Sequence, residues 1–454
     1  MPTKVLIPSG VLGLGFHKDA LWRGIESNPD LIAIDGGSTD SGPFYLGTGT
    51  SKYSRSICRA EWREIMMARA SANVPLIIGT CGTCGTASSV DWMFEITCEI
   101  AQELGQSVKI TRLYSDIDIE TLKDARDLGQ IRGLEPAPPL DDSNLKKLTN
   151  IVALAGAEQI CEALATGADI ILAGRTTDTA IIAALPLLNG ADPGAAWHGA
   201  KIAECGAFCT SNPASGTVLV SFDEAGFLVE AMGQGVSCSP QSVSAHMLYE
   251  NADPFVLFEP GGYLDVRNAS YNAIDNGLVR VEGSRWVSSD IYTVKLEGAM
   301  LTGFQTTMLA IIRDARYVSK AEEWAKKMQA HCQHIIASSL LLDSEDYCID
   351  LRLIGLNAAL GDLETQIGQP IEVGVMITIT AESQALATEI ALVINPHLLH
   401  YPLTDSEPLP TFAFPFSPVH SERGPVYEFA LNHVLELETP MKEFYLRTDD
   451  VSYG

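Results

Sequence analysis

Short, wholly apolar runs alternate with polar loops through the first part of the chain. Val5-Leu6-Ile7, Leu31-Ile32-Ala33-Ile34, Val74-Pro75-Leu76-Ile77-Ile78 and Ile170-Ile171-Leu172-Ala173 are too short for helices and apolar on both faces. They read as strands of a sheet covered on both sides. Val108–Tyr114 reads as another strand, and helix-like segments fall at 19–26, 58–70, 91–104, 157–165 and 177–185, the last expected to stop at Pro186. Strands alternating with helices predict an α/β fold, a mainly parallel sheet flanked by helices. From Thr217 the pattern becomes strand-like at 218–222, 226–229 and 277–281, with a helix at 239–250 that carries His246. Beyond Ser284 the order changes to strands at 292–297 and 306–313, a helix at 320–336, strands at 347–353 and 372–379, and a helix at 382–394. That order predicts an α+β second domain, so the boundaries expected are 1–285, carrying the site, and 286–454.

The loops that follow the buried strands hold the chemistry. Asp35-Gly36-Gly37-Ser38-Thr39-Asp40-Ser41-Gly42 follows one strand, and Gly174-Arg175-Thr176-Thr177-Asp178-Thr179-Ala180 follows another. In open α/β sheets ligands bind at the carboxyl ends of strands. Glycines free the backbone to approach an anion, and carboxylates beside hydroxyls suit a general base or a hard cation. The matching triplets Thr39-Asp40-Ser41 and Thr177-Asp178-Thr179 suggest two half-sites converging on one crevice. A pair of helix caps, or an old duplication that keeps two turns, is the plainer alternative. On the first reading Asp40, Asp178 and Asp35 are catalytic, and Arg175 is the cation for a substrate carboxylate. Ser38, Thr39, Ser41, Thr177, Gly36 and Gly37 contact substrate, and Gly82, Thr83, Gly85 and Thr86 of the segment Gly79–Thr86 supply amides and hydroxyls at a helix N-terminus. Cys81 or Cys84 could be a nucleophile there. His198, Lys201 and Glu204 would share one face of a helix and could move protons, or form an ordinary polar face. The first loop, Gly10-Val11-Leu12-Gly13-Leu14-Gly15, lacks the dinucleotide-binding order. His17 and Lys18 behind it are possible ligand contacts or simply solvated.

Composition narrows the classes. A net charge of −27 opposes nucleic acid as a partner, because that binding depends on Lys and Arg neutralising phosphates. No apolar run reaches the roughly 18 residues that span a bilayer, and Met1-Pro2-Thr3-Lys4 leads directly into a strand without a signal-peptide core. No membrane partner and a cytoplasmic location are therefore expected. Ten cysteines in 454 residues are too sparse for a disulfide scaffold. Cys81/Cys84 and Cys205/Cys209 have metal-pair spacing, without a downstream histidine pair of finger spacing; His397 and His400 alone do not make a site.

The loop at Asp35–Gly42, Ala173-Gly174-Arg175-Thr176-Thr177-Asp178-Thr179-Ala180, Glu204-Cys205-Gly206-Ala207, and the stretch from Gly233 through Tyr249-Glu250-Asn251-Ala252-Asp253-Pro254 resemble the acyclic terpene utilisation (AtuA) family. The likeness covers most of residues 1–285. It implies a ferredoxin-like C-terminal domain and cytoplasmic catabolism of branched or terpenoid carboxylic acids near acyl-CoA steps. The function expected is a lyase or hydratase acting on a small branched carboxylic acid or its CoA thioester, in a homo-oligomer, with a divalent metal ion as a possible cofactor. A hydrolase using paired Asp to activate water, and a non-catalytic ligand-binding or assembly subunit needing a small partner protein, are the alternatives.

Overall fold

The computed structural model describes residues 2–274, 277–366 and 368–452. The chain divides into two compact units, residues 1–300 with 429–454, and residues 301–428. The changeover falls inside a long strand rather than near Ser284.

The strands of the first unit are β1 (Thr3–Ile7), β2 (Leu31–Asp35), β3 (Leu76–Gly79), β4 (Val108–Tyr114), β5 (Ile131–Gly133), β6 (Leu148–Ala153), β7 (Ile170–Ala173), β8 (Val218–Phe222) and β9 (Gly226–Ala231). They continue with β10 (Val256–Glu259), β11 (Gly262–Asp265), β12 (Ser270–Ile274), β13 (Leu278–Glu282), β14 (Arg285–Ser288) and the first part of β15 (Tyr292–Ile312). β16 (Tyr347–Ile354) and β17 (Val373–Ala381) belong to the second unit, β18 (His420–Leu437) leads back, and β19 (Tyr445–Val451) closes the chain.

The main sheet runs β12-β13-β9-β8-β1-β2-β3-β7-β4-β19. Its centre, β1-β2-β3-β7-β4, is parallel, as the buried apolar runs require. Both flanks are antiparallel: β8 pairs with β1, β9 with β8, β13 with β9, β12 with β13, and β19 with β4. The fold is therefore mixed α/β, and the expectation of a mainly parallel sheet is corrected. The edge strands β12 and β19 carry polar and exposed residues, and β9 follows β8 through the tight connection Asp223–Ala225, which only antiparallel neighbours permit.

Alternate residues of the central strands feed two cores. Val5, Leu31, Ala33, Ile77 and Ile171 face the helices Ala157–Ala165, Ala180–Leu188 and Pro193–Ala203. Leu6, Ile32, Ile34, Leu76 and Leu172 face the helices Lys18–Glu26, Arg55–Ala72 and Ala87–Leu104. With both faces covered, the loops at the carboxyl edge are the open part of the sheet. The helix Ala180–Leu188 does not stop at Pro186 but includes it. The proline lies less than one turn from the helix end, so its missing N–H costs a single bond.

The second unit has strand order β16-β17-β15-β18, with β17 antiparallel to both β15 and β16. Strict burial alternation along β17 shows one covered face, where Trp324, Met328 and Ile336 of the helix Ala321–Leu340 and Ile390 and Ile394 of Gln384–His400 pack.

Candidate functional site

The loops after β2, β3 and β7 are laced together by backbone. Gly36 N donates to Gly79 O at 2.8 Å, Thr83 N to Gly36 O at 3.0 Å, Thr80 N to Gly174 O at 2.9 Å, and Arg175 N to Gly85 O at 3.1 Å. Such approaches require glycine: a Cβ on Gly36 would lie 2.6 Å from Thr80 O, and one on Gly85, at φ +66°, 2.2 Å from Arg175 N. The β3 loop is held in the left-handed region at Thr80, Gly82, Thr83 and Gly85. Two threonines there store strain, a condition found where a surrounding site over-determines the backbone.

These loops border a cavity of about 750 Å³. Asp35, Gly37, Ser38, Asp40, Ser41, Thr83 and Asp178 line it. The two Thr-Asp loops therefore reach the same space. Leu14, Phe16, Phe208 and Tyr53 give it apolar wall, and His17, Lys52, Cys205, Tyr249 and Glu250 complete the polar part.

Asp35 is buried. Its Oδ2 accepts from Gly37 N at 2.9 Å, while Oδ1 has no hydrogen-bond partner. Burial, then the negative charge of Asp178, pushes this carboxyl well above the ordinary range, against the opposing pull of Arg175 and the amides of Gly37 and Gly36. Burial likewise pushes Asp178 up to about 6 against Arg175 and Lys201, with Glu250 and Asp40 adding to the rise. Asp40 stands exposed at the rim and accepts from Ser38 Oγ at 2.9 Å.

Arg175 does not line the cavity among the described residues. Its Nε donates to Glu297 Oε2 at 3.0 Å and Nη2 to Oε1 at 3.3 Å, with both side chains under 10% exposed. Although burial by itself raises it, Arg175 holds the Glu297 carboxyl below its usual range. The role expected for Arg175, receiving a substrate carboxylate, is corrected: a carboxylate of the chain already fills the fork. Thr39 Oγ1 donates to the same Glu297 at 3.2 Å. Thr177 Oγ1 pairs with Thr179 Oγ1 at 3.1 Å and accepts from Ala180 N, the helix-cap role. Thr86 Oγ1 contacts the hydroxyls of Ser88 and Ser89, both at 3.0 Å, at the start of the helix Ala87–Leu104. Gly36, Gly82, Gly85, Thr39, Thr86 and Thr177 thus build the loops and lie outside the cavity lining.

Three further expectations are corrected. Cys81 is fully buried and its thiol is pushed well up by burial and Asp35, the opposite of an activated nucleophile; Cys84 packs its sulfur on Ser89 Oγ at 3.3 Å. His198 is buried, held by Ser284 Oγ at 2.7 Å and Tyr271 OH at 3.0 Å, and drawn down to about 3 by burial, so it stays neutral. Lys201 does not act with it but forms an ion pair with Glu204 one turn further on. Burial pushes Glu204 up to about 8 despite that lysine.

The sequence assigns no role to Glu297 or Lys52, and Tyr249 and Glu250 enter only within the family-like stretch. Glu297 sits in Val294-Lys295-Leu296-Glu297, where alternating apolar and charged residues read as a strand with one solvent face and conceal its burial.

Fold and site define a mixed α/β protein with an acid-walled cavity at the carboxyl edge of its central strands. The chain belongs to the acyclic terpene utilisation family AtuA, whose model matches residues 50–403. Membership implies a part in acyclic terpene utilisation, a catabolic role. No curated protein and no solved structure matches the chain. No helix among the described residues is long and apolar enough to cross a membrane.

Proposed function

We propose that the protein is a lyase or hydratase acting on a small branched carboxylic acid or its CoA thioester, with Asp35 as general acid and Asp178 as general base. The observation that carries this reading is the pair of carboxylates lining one cavity, one of them buried with an oxygen unpartnered among the described residues. Moving water across a carbon–carbon bond beside a carboxyl or thioester needs one group to take a proton from carbon and another to give one to the departing hydroxyl. Two carboxyls whose surroundings push them apart fill both roles. Asp35, its carboxyl pushed well above the ordinary range by burial and by Asp178, is the better placed of the two to give a proton. Asp178, near 6, is ionised at neutral pH and takes one.

The cavity falls within the roughly 300–1,000 Å³ of small-molecule sites. Leu14, Phe16 and Phe208 suit a branched apolar tail, and Lys52 at the opening, donating to Ser41 Oγ at 2.7 Å, offers a cation to a carboxylate or phosphate. The β-α-β-β-α-β succession from β15 to β18 supports reading the second unit as ferredoxin-like.

The test presents the purified protein with branched unsaturated and hydroxylated acids, free and as CoA thioesters, and follows loss or gain of the conjugated double bond. Turnover is expected, falling by about 10²–10⁴-fold in Asp35→Asn and in Asp178→Asn with ligand binding retained. Release of free CoA thiol without hydration would instead favour the hydrolase. Binding without any turnover would favour the ligand-binding subunit.

A further inference from the structure

Where the helix Pro193–Ala203 ends, Glu204 and Cys205 meet His246, which follows the short helix Pro240–Ala245. One ligand atom from each of the three lies within 4.8 Å of the others. His246 is 5% exposed, and its Nε2 is buried without a hydrogen-bond partner among the described residues. A buried imidazole nitrogen left unpaired calls for an explanation, and a metal ion is one.

The charge around the cluster points the same way. Of the cations nearby, Arg175 is committed to Glu297 and Lys201 to one oxygen of Glu204. Asp178 shares Arg175 at 3.9 Å, and neither Glu250 nor Glu259 forms an ion pair among the described residues, while Asp178 and Glu259 add negative charge at Glu204 and Asp178 and Glu250 at Cys205. Excess negative charge held out of water is what a divalent ion relieves.

We propose that Glu204, Cys205 and His246 bind a divalent transition-metal ion of the zinc class. A carboxylate oxygen, a thiolate and an imidazole are a mixed set that zinc accepts, and three protein ligands leave one position of a tetrahedron. Cys205 lines the cavity that Asp35 and Asp178 also line. Binding forms metal–sulfur, metal–nitrogen and metal–oxygen bonds and releases the thiol proton of Cys205 to solvent; no oxidant or reductant enters. The Lys201 pair stays on Glu204 Oε1, leaving Oε2 for the ion. The site stands independently of the lyase reading.

The test uses the full chain, freed of metal by chelator and titrated with Co²⁺ alone. One equivalent is expected to bind with a near-ultraviolet sulfur-to-cobalt charge-transfer band, which Cys205→Ser abolishes. His246→Ala should weaken binding by more than the roughly 10–100-fold that outer-shell changes cost. A second measurement needs no variant: Zn²⁺ should protect Cys205, but not exposed Cys348, from alkylation mapped by mass spectrometry. Absence of the charge-transfer band, its persistence in Cys205→Ser, or equal labelling of Cys205 with and without Zn²⁺ would each overturn the proposal.

Discussion

Arg175 shows how far one residue's surroundings decide its role. In the sequence it is a lone cation inside a Gly/Thr/Asp loop; in the fold it is half of a buried pair with Glu297, and Thr39 completes the carboxylate's bonding. Breaking such a pair strands a charge away from water and costs about 3–5 kcal/mol. Arg175→Ala and Glu297→Ala should therefore each lower stability by that order in chemical denaturation, whereas Arg175→Met combined with Glu297→Leu should recover most of it. An Arg175→Ala protein of unchanged stability but weakened carboxylate binding would return the residue to the substrate. Cys81 and His198 teach the same lesson: residue type suggested chemistry, and burial removed it.

Among the elements, what was legible followed burial. β2, β3 and β7 are buried along their whole length, so their apolar runs announced them. β19, Tyr-Leu-Arg-Thr-Asp-Asp-Val, and β12 lie at the sheet's edges with mostly solvent-facing side chains, and no pattern of apolar residues marked them. β6, with Thr149 and Asn150 near its start, was missed for a related reason, since polar residues interrupt the run. The edge strands were thus invisible, while β8, β9 and β13 were marked as strands by their apolar residues but not placed antiparallel in this sheet, so the sheet read as more parallel than it is. The glycines of the site loops were read as openings for a ligand, but most serve contacts between loops. Gly85→Ala should consequently cost more than about 2 kcal/mol, because it adds a Cβ 2.2 Å from backbone at a positive φ. Gly105→Ala, also at positive φ but facing open space, should cost only the roughly 1–2 kcal/mol of the left-handed conformation. Equal losses in the two variants would contradict the lacing of the loops.

At the scale of the whole molecule, the excess of acid governs the response to pH. Asp116 and Asp178, each pushed up to about 6 first by burial, and Glu259, pushed up to about 7, hold protons in the folded chain that the unfolded chain has already released. Between about pH 4 and 7 these three carboxyls bind more protons in the native state, so their contribution to the stability of metal-free protein falls as pH rises through that window. His198 and His246, drawn down to about 3 and about 4, contribute in the opposite direction. Arg175 and Lys201 oppose this rise at Asp178, while Asp35, Asp40 and Glu250 share its cavity. Thermal unfolding of chelator-treated protein should show a higher midpoint at pH 5 than at pH 7.5, with a smaller difference in Asp178→Asn and in Glu259→Gln. A pH difference unchanged from the wild type in both variants would contradict the assignment.

The most direct test of the acid–base pair is the protonation of Asp35 at neutral pH, read by infrared difference spectroscopy between the wild-type protein and Asp35→Asn. The wild type is expected to show, at pH 7, the carbonyl stretch of a protonated carboxylic acid that the variant lacks. A difference consisting of carboxylate bands instead would mean that Asp35 is ionised beside Asp178, leaving the cavity two bases and no acid.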